Sequence, residues 1–313
     1  MQHFDAQATR DALPFARLIP ALQRMFTEGC EVPPRQVHQV AAPDGGVMTS
    51  LVMPAWQTGR CYGIKVVNVA PGNAARGLPG LLACYLLFDA ATGVPRALID
   101  GSVLTARRTA AASALAASYL ARGDSHRLLV VGAGAVARLL PEAYRTVLPI
   151  EQVRVWARST QKAAALAAEL RASGLNAQAA PDLAVAVEAA DIVSCATLAT
   201  EPLVQGRWLR PGSHLDLIGG FTPAMREADD GCFAGARLYV DTDEALRKSG
   251  DLLGPMARGV FDAAQVCGTL AGLCQGDAAG RRSARERTVF KSVGTALEDL
   301  AAAMLMHGAD TEV

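Results

Sequence analysis

The sequence predicts an α/β chain: a doubly wound parallel sheet domain joined to an α+β domain. Three observations carry this. From residue 126 onward, short apolar runs (RLLVV, QVRVW, DIVSC, SHLDLIG, ARLYV) alternate mostly with helical patterns, the rhythm of βαβ crossovers. The first of these runs enters a glycine turn that opens a helix. Before residue 100 the rhythm differs. Three apolar runs (47–53, 62–70 and 81–88) follow one another with no helix between, which gives a sheet of antiparallel character.

Taken in order, residues 11–30 place Leu13, Leu18, Leu22 and Phe26 roughly on one helical face. Asp44-Gly45-Gly46 reads as a turn into the first strand, and the loop PGNAARGLPG joins the second strand to the third. ATGV (91–94) turns into PRALID. Residues 103–121 then switch to helical spacing, with Leu104, Ala111, Leu115 and Tyr119 recurring. This alanine-rich helix reads as the bridge between the two domains. Strands follow at RLLVV, 152–158, LNAQAA, 191–197, 213–219 and 236–241, with helices at 136–147, 161–174 and 183–190. Residues 243–276 read as an accessory helical region. TVFKSVGTALEDLAAAMLMHG (288–308) reads as one closing helix, with Val293, Leu297, Leu300 and Met304 periodic.

Composition excludes several functions. Thirty basic and thirty acidic residues cancel, so no field draws nucleic acid, and 5% aromatics leave few stacking platforms. No apolar run reaches the roughly 18 residues of a membrane helix. MQHFDAQATRDALPFARL has no apolar leader core. Seven scattered cysteines without a CxxC pair point to free thiols in a reducing, cytoplasmic compartment. Cys267 and Cys274 have no histidine nearby, so no metal is expected.

Gly132-Ala133-Gly134-Ala135-Val136-Ala137 is a GxGxxA pattern between a strand and a helix. That context makes it the phosphate turn of a Rossmann-type domain. Gly132 permits the tight turn, Gly134 the approach of a pyrophosphate, and Ala137 close helix packing. The second strand ends Trp156-Ala157-Arg158-Ser159-Thr160. A nicotinamide site for NAD usually has an acid there. Arg158 with two hydroxyls suits a 2′-phosphate instead, so NADPH is favoured, with NADH possible. Thr197, after the fourth strand, is a candidate cofactor contact. Elsewhere Arg35, Lys65 and Arg108 stand apart. Lys65 lies in an apolar strand and needs a polar destination. The three can build a pocket for a carboxylate, with the lysine protonating an imine nitrogen. No acidic residue stands out as their partner.

PPRQ (33–36), VMPAW (52–56), KVVNVAPGN (65–73), DAATGVPRALIDG (89–101), LTARRTAAASALA (104–116), GAGAVA (132–137), ARST (157–160) and GGFTPAMRE (219–227) together resemble the ornithine cyclodeaminase/mu-crystallin family. The resemblance covers most of the chain in the right order. It implies a substrate-binding and dimerisation domain at 1–115, completed by 288–313, a Rossmann domain at 116–287, and a homodimer. It implies that Arg35, Lys65 and Arg108 meet a substrate carboxylate, with Lys65 as the catalytic group near the reacting nitrogen. It also implies that Thr109 positions cofactor phosphate or substrate. Gly132, Gly134, Ala135 and Val136 would line the pyrophosphate, and Arg158, Ser159 and Thr160 the adenosine ribose.

Two departures from the family's cyclodeaminases redirect the expected activity. Ser50 and Leu51 stand in a segment where an acid is expected, and Phe221 stands where the catalytic aspartate would be. A phenyl ring cannot bind an ammonium or activate water. It can instead wall an apolar ring. The chain therefore resembles the members that reduce cyclic imino acids, Δ1-pyrroline-2-carboxylate to L-proline and Δ1-piperideine-2-carboxylate to L-pipecolate. The alternatives are ornithine cyclodeamination, an open-chain amino-acid or imine dehydrogenase, and an NADPH-dependent small-molecule binding protein. The expected partner is a small anionic amino or imino acid, not nucleic acid or a membrane.

Overall fold

Pro14 splits the first predicted helix. In the computed structural model, which describes residues 1–41 and 46–309, α1 (Ala6–Ala12) and α2 (Phe15–Glu28) replace it. A residue before proline is held out of the helical region, and Leu13 is that residue. Asp5 caps α1 by accepting from the Ala8 backbone N–H at 2.8 Å. The turn expected at Asp44-Gly45-Gly46 lies, but for Gly46, outside the described residues.

The chain forms two compact units, residues 1–108 with 295 onward, and residues 109–294. The boundaries expected from sequence were 115 and 288. In the first unit the described strands are β1 (Gln2–Phe4), β2 (Gln36–Ala41), β3 (Val47–Gln57), β4 (Cys61–Val69), β5 (Leu81–Asp89) and β6 (Pro95–Asp100). They pair in the order β1-β6-β5-β4-β3-β2. All neighbours are antiparallel except β1, a short strand that the sequence reading lacked, which runs parallel to β6. β6 leads directly into α3 (Gly101–Leu120), and the unit boundary falls inside that helix. α10 (Ala296–His307) lies against β3 and β4, with α2 packed on it. Burial along β4 alternates strictly from Cys61 to Val67. One face of the sheet is therefore covered and the other is not.

The second unit holds β7 (Arg127–Val131), α4 (Ala135–Arg145), β8 (Gln152–Trp156), α5 (Thr160–Ala172), β9 (Ala177–Ala179), α6 (Leu183–Ala189), β10 (Ile192–Cys195), β11 (His214–Leu217) and β12 (Arg237–Val240). It continues through α7 (Ala245–Lys248), α8 (Gly250–Ala257), β13 (Gly268–Thr269), α9 (Leu270–Gln275) and β14 (Thr288–Lys291). The described strands form one parallel sheet in the order β13-β12-β14-β11-β10-β7-β8-β9. The order reverses between β7 and β10, which makes a topological switch point there.

β14 corrects the reading of 288–308 as one helix. Thr288, Val289, Phe290 and Lys291 are all buried and pair with β11 on one side and β12 on the other. A run of four buried residues has no resolvable period, and its sheet partners decide it. The turn that follows is held by Asp241, whose Oδ2 accepts from Ser292 Oγ and from the backbone N–H groups of Val293 and Gly294 at 2.7–2.9 Å. α10 begins only after its cap, Thr295.

Candidate active site

In the first unit, Lys65 sits on the covered face of β4 at 1% exposure. A buried ammonium requires an anion, and α10 supplies it. Lys65 Nζ lies 2.6 Å from Asp299 Oδ2. Asp299 Oδ1 accepts from Arg108 Nε at 2.9 Å, and Glu298 Oε2 accepts from Arg108 Nη1 at 2.5 Å. Both carboxylates are fully buried. Burial lowers the Lys65 pKa to about 8 despite the opposing pull of Asp299. Burial also disfavours the charged Asp299 carboxylate, but Lys65 and Arg108 outweigh it and hold Asp299 below its ordinary range.

The sheet register places the neighbours. Met53 pairs with Lys65, and Lys65 with Tyr85. Gln36 pairs with Val52, so half-buried Arg35, one residue before β2, falls two strands from Lys65, about 10 Å across the sheet. Tyr85 is buried, and its hydroxyl has no hydrogen-bond partner among the described residues. It occupies the space over Gly63, where a Cβ would lie 1.9 Å from the hydroxyl oxygen. Arg107 is placed differently from Arg108. It donates to the Leu13 carbonyl at 2.7 Å and stacks over Phe15.

The sequence therefore found the cations and missed their anions. The signal was present in ALEDLAAAMLMH. Glu298 and Asp299 are its only acids, in a helix otherwise apolar up to His307 at its end, and such a helix is buried nearly all round.

In the second unit the glycine turn stands at the switch point. Gly132 has φ +125°, and a Cβ there would meet the Ala196 carbonyl at 2.6 Å, so only glycine fits. Its N–H donates to the Trp156 carbonyl at 2.8 Å, tying the turn to β8. Gly134 caps α4 without a side-chain cap, and nothing lies within 4 Å of its would-be Cβ. The result is an open cradle facing uncapped helix N–H groups, the arrangement that receives a pyrophosphate. Ala135 is exposed, Val136 half-buried and Ala137 buried. Arg158, Ser159 and Thr160 are exposed at the end of β8. The Ser159 hydroxyl caps α5 by accepting from the Lys162 N–H at 3.3 Å. Thr109 opens this unit on α3, half-buried. These residues fit a dinucleotide cofactor. Among the described residues no group of three His, Cys, Asp or Glu is placed to hold a metal ion.

A second buried charge cluster, unforeseen from sequence, lies beside the switch point. Glu227 Oε1 accepts from the Thr197 N–H and hydroxyl at 2.7 and 2.8 Å. Its Oε2 accepts from the Gly219 and Gly220 N–H groups at 2.8 and 3.3 Å. One side chain thus ties together the loops that leave β10 and β11. Asp251 accepts from the backbone N–H groups of Glu227 and Ala228 and from Lys291 Nζ, the last at 2.9 Å. Burial pushes the Glu227 carboxyl up to about 7, against the pull of Lys291. The same loop carries Phe221, which is half-buried and packs on this unit's core.

The fold and the glycine cradle define a dinucleotide-dependent α/β protein with a separate α+β unit that carries buried, carboxylate-paired cations. The chain belongs to the ornithine cyclodeaminase/mu-crystallin family, whose model matches residues 15–311. It is 46% identical to the Δ1-pyrroline-2-carboxylate reductase of Paracoccus denitrificans over 276 residues, 87% of each chain. Among solved structures it is similar to the Δ1-pyrroline-2-carboxylate reductase of Thermococcus litoralis in complex with NADH and L-proline, at TM-score 0.87 and 33% identity over 99% of this chain and 97% of that one. An archaeal alanine dehydrogenase dimer with bound NAD is similar at TM-score 0.90 and 27% identity, covering 99% and 95%.

Glu227→Gln tests the loop clamp. An amide nitrogen would face N–H donors that now meet an oxygen, a mismatch costing roughly 1–3 kcal/mol. The expected outcome is a lower unfolding midpoint in denaturant together with weaker NADH binding in a fluorescence titration. Unchanged stability and affinity would show that the clamp holds nothing the cofactor needs.

Proposed function

We propose that this chain is an NAD(P)H-dependent oxidoreductase that reduces the C=N bond of cyclic imino acids, Δ1-pyrroline-2-carboxylate to L-proline and Δ1-piperideine-2-carboxylate to L-pipecolate. The observation that carries the reading is Lys65, a buried lysine whose Nζ lies 2.6 Å from the Asp299 carboxylate and whose pKa burial lowers to about 8. A group of that acidity can protonate an imine nitrogen near neutral pH. The family membership and the reductase relatives support the same reaction. Nicotinamide dinucleotide, when bound, supplies the hydride. Arg108 has Nε and Nη1 engaged by Asp299 and Glu298, which leaves Nη2 to take the substrate carboxylate beside Arg35. The carboxylate would then be fixed and the ring nitrogen turned toward Lys65, an orientation that lowers the barrier without further chemistry. Phe221 keeps the β11 loop free of an acid at that position, so nothing there would recognise the terminal ammonium of ornithine. It would wall the ring methylenes instead.

The test is direct. The purified chain should oxidise NADPH or NADH when offered either cyclic imine, and should release no ammonia from L-ornithine with NAD⁺. The rate should decline above about pH 8, because the ammonium form of Lys65 is the acid and burial makes it lose its proton there. Lys65→Met should lower kcat by about 10²–10⁴. Ammonia from ornithine without imine-dependent oxidation would overturn the assignment.

The preference for NADPH rests on Arg158, exposed at the end of β8 where no acid stands. Arg158→Ala should raise KM for NADPH roughly tenfold, the loss of one charge-assisted hydrogen bond, and leave KM for NADH near its original value. Equal effects on both would remove the preference.

The uncovered sheet face supports a homodimer. Trp56, Tyr62, Ile64, Val66, Leu86 and Phe88 lie on it, partly exposed, with the Trp56–Tyr62 and Tyr62–Phe88 ring centroids 6.1 and 5.7 Å apart. An apolar face of this kind marks an association surface. Ile64→Glu should convert a dimer to a monomer in light scattering, and a wild-type monomer would refute the assembly. The seven free cysteines fit a reducing, cytoplasmic setting. Among the described residues no helix is long and apolar enough to cross a membrane.

A further inference from the structure

We propose that Asp299 is the positioning residue of the reductive site: one carboxylate, shared between the Lys65 ammonium and the Arg108 guanidinium, sets where the proton donor stands relative to the group that holds the substrate carboxylate. The inference rests on the reading of Lys65 as the acid, and deepens it.

The geometry is specific. Asp299 Oδ2 lies 2.6 Å from Lys65 Nζ, and Oδ1 lies 2.9 Å from Arg108 Nε. The two oxygens of one carboxyl group thus hold two cations from different elements, β4 and α3, in a fixed relation. Glu298 meets Arg108 from the next position on α10. Packing alone does not ask for this. α10 is buried from Ala296 to Leu305, and a buried ion pair can usually be replaced by apolar residues of similar volume with little loss or a gain. Two acids in such a helix therefore point to a task other than cohesion.

Charge accounting indicates the task. Lys65 and Arg108 balance Asp299 and Glu298, so the cluster is neutral with Lys65 protonated. When the Lys65 Nζ–H bond breaks and the proton forms an N–H bond at the imine nitrogen, the bonding pair stays on Nζ and the positive charge moves to the substrate. Asp299 then remains as a nearby anion for the iminium, held in place by Arg108. The charged and titratable groups facing Lys65 are Asp299 and Glu298 from α10, Arg108 from α3 and Tyr85 from β5. Of these, Asp299 and Glu298 favour the ammonium form, Asp299 the more strongly, and Arg108 opposes it. Removing the Asp299 charge should make Lys65 lose its proton at lower pH.

The experiment compares wild type, Asp299→Asn and Asp299→Glu. The chain has four lysines, Lys65, Lys162, Lys248 and Lys291, so labelled-lysine NMR resolves each, with Lys65→Met assigning the signal. The expected result is that Lys65 titrates at least one pH unit lower in Asp299→Asn. The alkaline limb of kcat for imine reduction should move with it, KM for the imino acid should rise about tenfold, and Asp299→Glu should restore the titration in part. If Asp299→Asn does not fold, Asp299→Glu carries the test, since moving the charge by one methylene must still shift the limb or KM. A Lys65 titration and KM unchanged in a folded variant overturn the proposal. A wild type that reduces no cyclic imine overturns the functional reading instead, while the NMR titration still decides whether Asp299 governs Lys65.

Discussion

A lysine that has left water must find a carboxylate, and that requirement organises the first unit. Lys65 is enclosed on the sheet's covered face, and its anion comes from a helix at the other end of the chain. Leaving either partner alone would cost about 3–5 kcal/mol. The pair therefore does what apolar packing cannot. α10 is buried from Ala296 to Leu305 and apolar on nearly every side. Two acids at fixed positions on it meet Lys65 and Arg108. The same contact that closes the fold also places the acid and the carboxylate-binding group of the proposed reaction.

The second unit uses buried charge in a related way, mainly on backbone N–H groups. Glu227 gathers four donors from two loops, and Asp251 in turn holds the Glu227 segment and Lys291. Loops at the carboxyl ends of parallel strands carry N–H groups that the sheet no longer pairs. A buried carboxylate satisfies several at once and removes their freedom. The glycine turn is left open by the same economy of contacts: Gly132 is pressed against the Ala196 carbonyl, while the space over Gly134 is empty. One glycine thus serves the fold, and the other leaves the N-terminus of α4 open.

Phe221 shows how a single position changes the chemistry open to the loop after β11. A carboxylate there would add a group able to bind an ammonium or activate water. A phenyl ring packed on this unit's core removes that option. Imine reduction needs no more than an acid, a fixed carboxylate and a hydride source.

Much of this was legible in the residues themselves. The strand, glycine turn and helix around Gly132 form a local signal, because turn geometry and helix capping involve neighbours in sequence. The alternation after residue 126 and its absence before residue 100 separated the two kinds of sheet for the same reason. Lys65 and Arg108 were conspicuous as charges in apolar surroundings. Their partners were not, because Asp299 and Glu298 acquire meaning only when a distant helix is laid on the sheet. TVFK read as helix because four residues are too short to carry a period, and β11 and β12 made it a strand. Local spacing determined the fold class, the nucleotide turn and the cations. Only tertiary structure decided which anions meet them, since the pairing of buried charge is a contact between residues far apart in the chain.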